Sequence, residues 1–178
     1  YEAVATDVIT GESTYFDRDE CSDIVAGVEA SASIPVMSKM IDVEGRKYLD
    51  GGVSTSIAYK RAFDLGYPKA VVVLTREAGY RKKPVNKVNE SIYKRYFKPL
   101  PRLVDKLMSV PERYNAMQKE MEALANEGKL LIIRPPKKVI VQRLEKSVAK
   151  LESLYNEGYE EGLNNLENVR KFLNRDVN

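Results

Sequence analysis

The 178 residues carry 29 basic against 26 acidic side chains, a net +3 too mild to imply a polyanionic partner, so no nucleic acid is expected. Length and a 43% apolar share suit one ordinary globular domain, and no run approaches the roughly 18 apolar residues of a membrane span. With no histidine and one cysteine, Cys21, these residues cannot complete a Ser-His-Asp or Cys-His site, a zinc site of histidines or cysteines, or an intramolecular disulfide. Any acid–base chemistry falls to Asp, Glu, Lys or Tyr.

Tyr1 to Val8 (YEAVATDV) is rich in β-formers, and Gly11-Glu12 turns it into a second short run, Ser13 to Phe16, which reads as a hairpin. A strand pattern that starts at Tyr1 rather than Met leads to the expectation of a natural N-terminus upstream. From Asp19 to Ser31 the apolar residues fall at helical spacing, and the helix is expected to end at Ser33-Ile34-Pro35. Val36 to Val43 reads as extended. Glu44-Gly45 then turns the chain back into Arg46–Leu49, a second hairpin leading to Asp50-Gly51-Gly52. Ile57 to Leu65 is helical with Gly66 as its stop, and Ala70 to Leu74 is an apolar run of the kind buried on both faces of a parallel sheet.

Beyond Arg76 the texture changes. Arg76 to Lys98 holds eight basic residues against Glu77 and Glu90, interleaved with Tyr80, Tyr93, Tyr96 and Phe97. Pro99, Pro101 and Pro111 are expected to divide the following residues into short helices, with a stronger one from Glu112 to Asn126. Lys129 to Arg134 is a second buried-strand candidate, which makes 77–128 a mainly helical insertion. Residues 145–173 form a helical end: Val148, Leu151, Tyr155, Tyr159, Leu163, Leu166 and Val169 recur every three or four positions, and Gly158 and Gly162 are the expected break points. That apolar stripe reads as core or as a dimer contact.

Asp50-Gly51-Gly52 is the leading constellation for chemistry. A carboxylate at a strand end, followed by two residues without side chains, leaves room for a ligand and tolerates positive φ. A plain Asx turn is the simpler reading of the same residues. Ser31 and Ser33 read first as small packing residues and second as a pocket wall. Asp7 reads as a turn or cap residue before it reads as one that orients a site, and Ser54 as a cap of the next helix before a nucleophile.

Ordered around Asp50 are Thr6-Asp7 with Thr10-Gly11-Glu12, then Ala30 to Pro35 (ASASIP), Tyr48 to Val53 (YLDGGV), Gly66, Ala70 to Arg76 (AVVVLTR), Ile133-Arg134-Pro135 and Arg143 to Lys146 (RLEK). This series resembles the second half of the patatin-like phospholipase family, in particular a bacterial subgroup, and the resemblance covers most of the chain. It implies the C-terminal part of a three-layer α/β/α sandwich with a mostly parallel sheet. It also implies a Ser-Asp dyad without histidine, in which Asp50 is the general base and a serine on a Gly-x-Ser-x-Gly elbow is the nucleophile. The substrate class would be a lipid carboxylic ester, with no cofactor and no metal, and the missing N-terminal portion of the protein would be the partner that completes the site. A cytoplasmic or membrane-peripheral location is the matching expectation.

No Gly-x-Ser-x-Gly occurs here: Gly52-Val-Ser54-Thr-Ser56 and Gly11-Glu-Ser13-Thr-Tyr15 both lack the second glycine. Nor is there a glycine-rich oxyanion loop. Many relatives carry proline in the segment matching Ser54–Tyr59, which here reads STSIAY and puts the local shape of the site in question. The basic–aromatic run reads first as the solvated face of the insertion and second as a contact for an anionic membrane surface. Two rival readings remain: a non-catalytic α/β module binding an anionic surface or partner, and a degenerate hydrolase that has lost its nucleophile. The isolated 178 residues are expected to show no ester turnover, and a fluorogenic ester assay returning measurable turnover would overturn that.

Overall fold

The computed structural model describes residues 1–142 and 144–173, so Arg143 of the RLEK segment lies outside the described residues. In chain order the elements are β1 (Glu2–Asp7), β2 (Ser13–Asp17), α1 (Ile24–Ser31), β3 (Ile41–Val43), β4 (Arg46–Asp50), a 3-10 turn (Gly51–Val53), α2 (Tyr59–Asp64), β5 (Ala70–Val73), α3 (Lys87–Tyr96), α4 (Pro101–Asn126), β6 (Leu130–Ile133), α5 (Val148–Asn164) and α6 (Leu166–Leu173). The architecture is mixed α/β and falls into two compact units. One comprises Tyr1–Ala58 and Arg81–Met117, the other Tyr59–Tyr80 and the chain from Gln118 onward.

The first unit is built on a four-stranded sheet in the order β2-β1-β4-β3. Both expected hairpins form. Thr6 faces Ser13 across the β1–β2 pair, and Val43 faces Arg46 across β3–β4. The second hairpin closes on two residues, Glu44 at φ 54 and Gly45 at φ 79, the paired positive angles of the tight turn that suits twisted strands. Alternation along β4 then sends successive side chains to opposite faces. Tyr48 packs with Ala5, Phe16, Val43 and Ala30 of α1, whereas Leu49 packs with Val8, Phe97 and the α4 residues Leu103, Val104 and Leu107. Helices therefore cover both faces of the sheet at β4.

Every pairing in this sheet is antiparallel, contrary to the expected mostly parallel arrangement: short turns join β1 to β2 and β3 to β4, and the connection through α1 carries the chain from one edge strand, β2, to the other, β3. Parallel pairing occurs in the second unit, where β5 lies beside β6 with Val71 opposite Leu131. There Val72 and Leu130 are buried, but Val73 is 73% exposed, so the expectation of burial on both faces fails at that position.

Other departures have local causes. Helix α1 starts at Ile24 rather than Asp19. The amides of Asp19, Glu20 and Cys21 turn back onto Asp17, and the Asp23 carboxylate caps the helix by accepting from Ala26 N at 2.9 Å. Only Ile41–Val43 of the extended run is strand, since Met37 and Ser38 donate back to the Ile34 carbonyl and Val36 takes φ 71. Pro111 divides nothing: it lies within the single 26-residue helix α4. At α2, Gly66 (φ 88) donates to Phe63 and Tyr67 to Ala62, the paired bonds of a glycine stop, and Gly128 ends α4 in the same way. Gly158 and Gly162 do not interrupt α5; the break comes at Asn165. On α5 the half-buried Leu154 lines a small cleft with Leu74 and Ile133. The expected stripe of Val148, Leu151, Tyr155, Tyr159, Leu163 and Leu166 consequently points outward, so its reading as core is wrong.

Asp7 fixes the β1–β2 turn, as its turn reading anticipated. Its Oδ1 accepts from the amides of Ile9 and Thr10, and its Oδ2 lies 2.6 Å from Arg46 Nη2 on β4. Burial pushes this carboxyl's pKa up, but the two amides and the guanidinium outweigh it and hold the pKa below the ordinary 3.8. A lowered folded-state pKa stabilises the fold above the unfolded value, and that contribution fades as the pH falls through the folded value. Asp7→Asn should therefore cost about 1–2 kcal/mol at neutral pH. In urea titrations its deficit relative to the parent should shrink below pH 3.8; a deficit that stayed constant with pH would refute the ion-pair account.

Candidate functional site

The site is the end of β4. Asp50 pairs with Ala5 of β1, donates its amide to the Ser33 carbonyl at 2.8 Å, and has its own carbonyl 2.8 Å from Thr6 Oγ1. The backbone is thus held from both sides, by β1 and by the segment that follows α1. Asp50 Oδ1 accepts from Gly52 N at 2.7 Å, the Asx-turn contact. The carboxylate is half-buried, and Oδ2 takes no hydrogen bond among the described residues. One oxygen is oriented by the backbone while the other remains available to a proton donor.

The two glycines have different tasks, and neither takes positive φ. A Cβ on Gly51 would stand 2.2 Å from the Val4 carbonyl oxygen, inside any tolerable contact, so the 3-10 turn seats directly on the β1 backbone. A Cβ on Gly52 would meet the Asp50 carboxylate alone, 3.1 Å from Oδ1. Gly51 therefore serves packing, and Gly52 leaves the space beside the carboxylate clear.

Beyond the turn lies a chain of hydroxyls. Thr6 Oγ1 is 2.8 Å from Ser54 Oγ and accepts from Ser54 N, while Ser13 Oγ is 2.8 Å from Ser54 Oγ and 2.7 Å from Thr55 Oγ1. Ser54 is buried in this network and closes the 3-10 turn. It neither caps α2 nor presents an open hydroxyl for nucleophilic attack, and both of its sequence readings are corrected. Ser33 is buried, donating its hydroxyl to the Glu29 carbonyl, while Ser31 is half-buried at the end of α1. Thr6, Ser33, Asp50 and Ser54 thus come together; Asp7 faces Tyr48 across β1–β4 and does not orient Asp50.

Arg113 is the residue that the sequence reading missed. From α4 its Nη1 donates to the Ser54 carbonyl, and its Nη2 to the carbonyls of Val53 and, at 2.9 Å, Lys106. Burial draws its pKa down and the Glu12 carboxylate opposes this, yet a guanidinium stays charged under these conditions. Nothing in the local sequence distinguishes it from the other cations of a solvated helix.

A cleft of about 380 Å³ beside Arg113 is lined by Thr10, Glu12, Arg102, Asp105, Lys106 and Ser109. Asp50 does not line it, and Lys106 is already engaged by Glu12 at 3.0 Å. Among the described residues no three carboxylate or thiol groups gather in a way that could hold a metal ion.

Residues 100–174 match a domain of unknown function (DUF6363), a stretch that starts beyond Asp50 and covers less than half of the chain. No curated protein matches the sequence.

The glycine assignment separates two substitutions. Gly51→Ala must displace β1 backbone and should lose at least about 3 kcal/mol of stability, whereas Gly52→Ala should stay within about 1 kcal/mol of the parent. Chemical denaturation of both variants checks this; equal losses would show that Gly51 has no special seat.

Proposed function

We propose that the chain is the aspartate-bearing part of a patatin-like serine hydrolase that cleaves lipid carboxylic esters, with Asp50 as the base of a Ser-Asp dyad. The observation that carries this reading is the state of the Asp50 carboxylate, anchored through Oδ1 to Gly52 N with no hydrogen bond to Oδ2 among the described residues. A serine outside these 178 residues supplies the nucleophile. Asp50 takes its proton as the hydroxyl oxygen attacks the ester carbonyl, then returns a proton to the departing alcohol. Water, deprotonated by the same carboxylate, attacks the acyl carbonyl and releases the acid, and Asp50 passes that proton to the departing serine oxygen. The developing oxyanion needs amide donors from the same outside portion, since the glycines here are scattered.

On this reading the parallel pair β5–β6, with Val73 uncovered, belongs to the larger, mostly parallel sheet of a three-layer α/β/α sandwich. Parallel sheets are stable when both faces are covered, and two strands alone are marginal. The Asx contact of Asp50 equally suits a structural turn, which keeps the degenerate hydrolase and the non-catalytic binding module as the rival outcomes.

The test is hydrolysis of a fluorogenic phospholipid by the uninterrupted natural gene product, beside its Asp50→Asn variant. The variant should keep the parent's melting profile and lose roughly 10²–10⁴-fold in rate. Equal rates would place the base elsewhere, and an inactive parent would favour the binding module.

A further inference from the structure

Helix α3 has two apolar faces, and the fold uses one. Tyr93 and the adjoining Phe97 turn inward, Phe97 reaching the core of Val8, Leu49 and Leu103. Val88, Ile92 and Tyr96, spaced by four and therefore stacked along one line, turn outward at 68%, 40% and 60% exposure. Exposed Lys87, Arg95 and Lys98 border that line along one flank, and exposed Lys83 precedes the helix. The one acid of the helix, Glu90, is neutralised by Lys94 at 2.6 Å.

The face is held in place rather than trailing. The Asn86 side chain caps α3 by accepting from Asn89 N. Just ahead of it, Asn115 of α4 bonds both the amide and the carbonyl of Lys82, whose ammonium lies 4.4 Å from the Tyr114 ring centre.

We infer that this α3 face docks on an anionic bilayer, with Val88, Ile92 and Tyr96 at the acyl boundary and the flanking cations against lipid phosphates. A helix lying in the membrane interface needs an apolar line bordered by Lys and Arg and an aromatic ring at headgroup depth, and α3 presents all three. Its excess of positive charge selects anionic over zwitterionic headgroups. The inference does not rest on the hydrolase reading, because it concerns binding alone.

The experiment is sedimentation of the full natural gene product with vesicles of ether-linked lipids, which contain no ester to cleave. One set is phosphatidylcholine and the other contains phosphatidylglycerol. Binding to the anionic set should be at least about 10-fold tighter and should weaken with salt. Val88→Asp and Ile92→Asp, both at exposed positions, should abolish it without changing the melting profile, and Lys87→Glu with Arg95→Glu should do the same. Equal binding to both lipid sets, or anionic binding that survives the Asp variants, would overturn the inference. Loss of hydrolysis in Asp50→Asn with vesicle binding intact would separate the two proposals.

Discussion

The arrangement around Asp50 depends on one half-buried cation, Arg113. Where β4 ends, the chain leaves the hydrogen-bonded ladder, and the carbonyls of Val53 and Ser54 have no strand to meet. The Arg113 guanidinium meets both and, with a third donor contact, reaches the Lys106 carbonyl of its own helix. A planar fork of fixed donors suits this task; a lysine ammonium would offer neither the spread nor the rigidity. Through this clamp the loop after Asp50 takes its position from α4.

The same cluster bears on how α4 tolerates proline. Pro111 has no amide to donate, and its ring crowds the turn before it. In that turn Ser109 Oγ lies within 3.1 Å of the Asp105 and Lys106 carbonyls and also accepts from Arg113 Nε. Side chains thus add bonds to the weakened turn while Leu103, Val104 and Leu107 bury the face against the sheet. A rule that holds for isolated helices gives way here to tertiary packing, which is why Pro111 misled as a break point.

Features decided within a few residues were legible in the sequence: both hairpins, the Gly66 stop, and the delivery of Asp50 to a strand end. Features decided by distant partners were not. The parallel course of Ala70–Leu74 was legible, but the antiparallel course of the four-stranded sheet depends on β4 returning beside β1, which no local run of residues records. Val36 at φ 71 could not be anticipated for a β-branched residue. The outward stripe of α5 has the spacing of a buried one; only the placement of Leu154 against Leu74 and Ile133 decides which side faces in. Asp50 itself could be found, but its state, one oxygen bound and one open, comes from Gly52 N folding back, a matter of backbone geometry.

The contact between Gly51 and the Val4 carbonyl changes what the Asp-Gly-Gly signature can be taken to diagnose. Its middle letter is enforced by the space left over β1, a demand that persists whether or not any reaction occurs nearby. A relative with no chemistry at this site would still need that glycine in order to fold. Survival of the motif therefore reports an intact sheet edge, and evidence of lost chemistry should be sought first at Asp50 and Gly52, where a side chain can change without displacing β1.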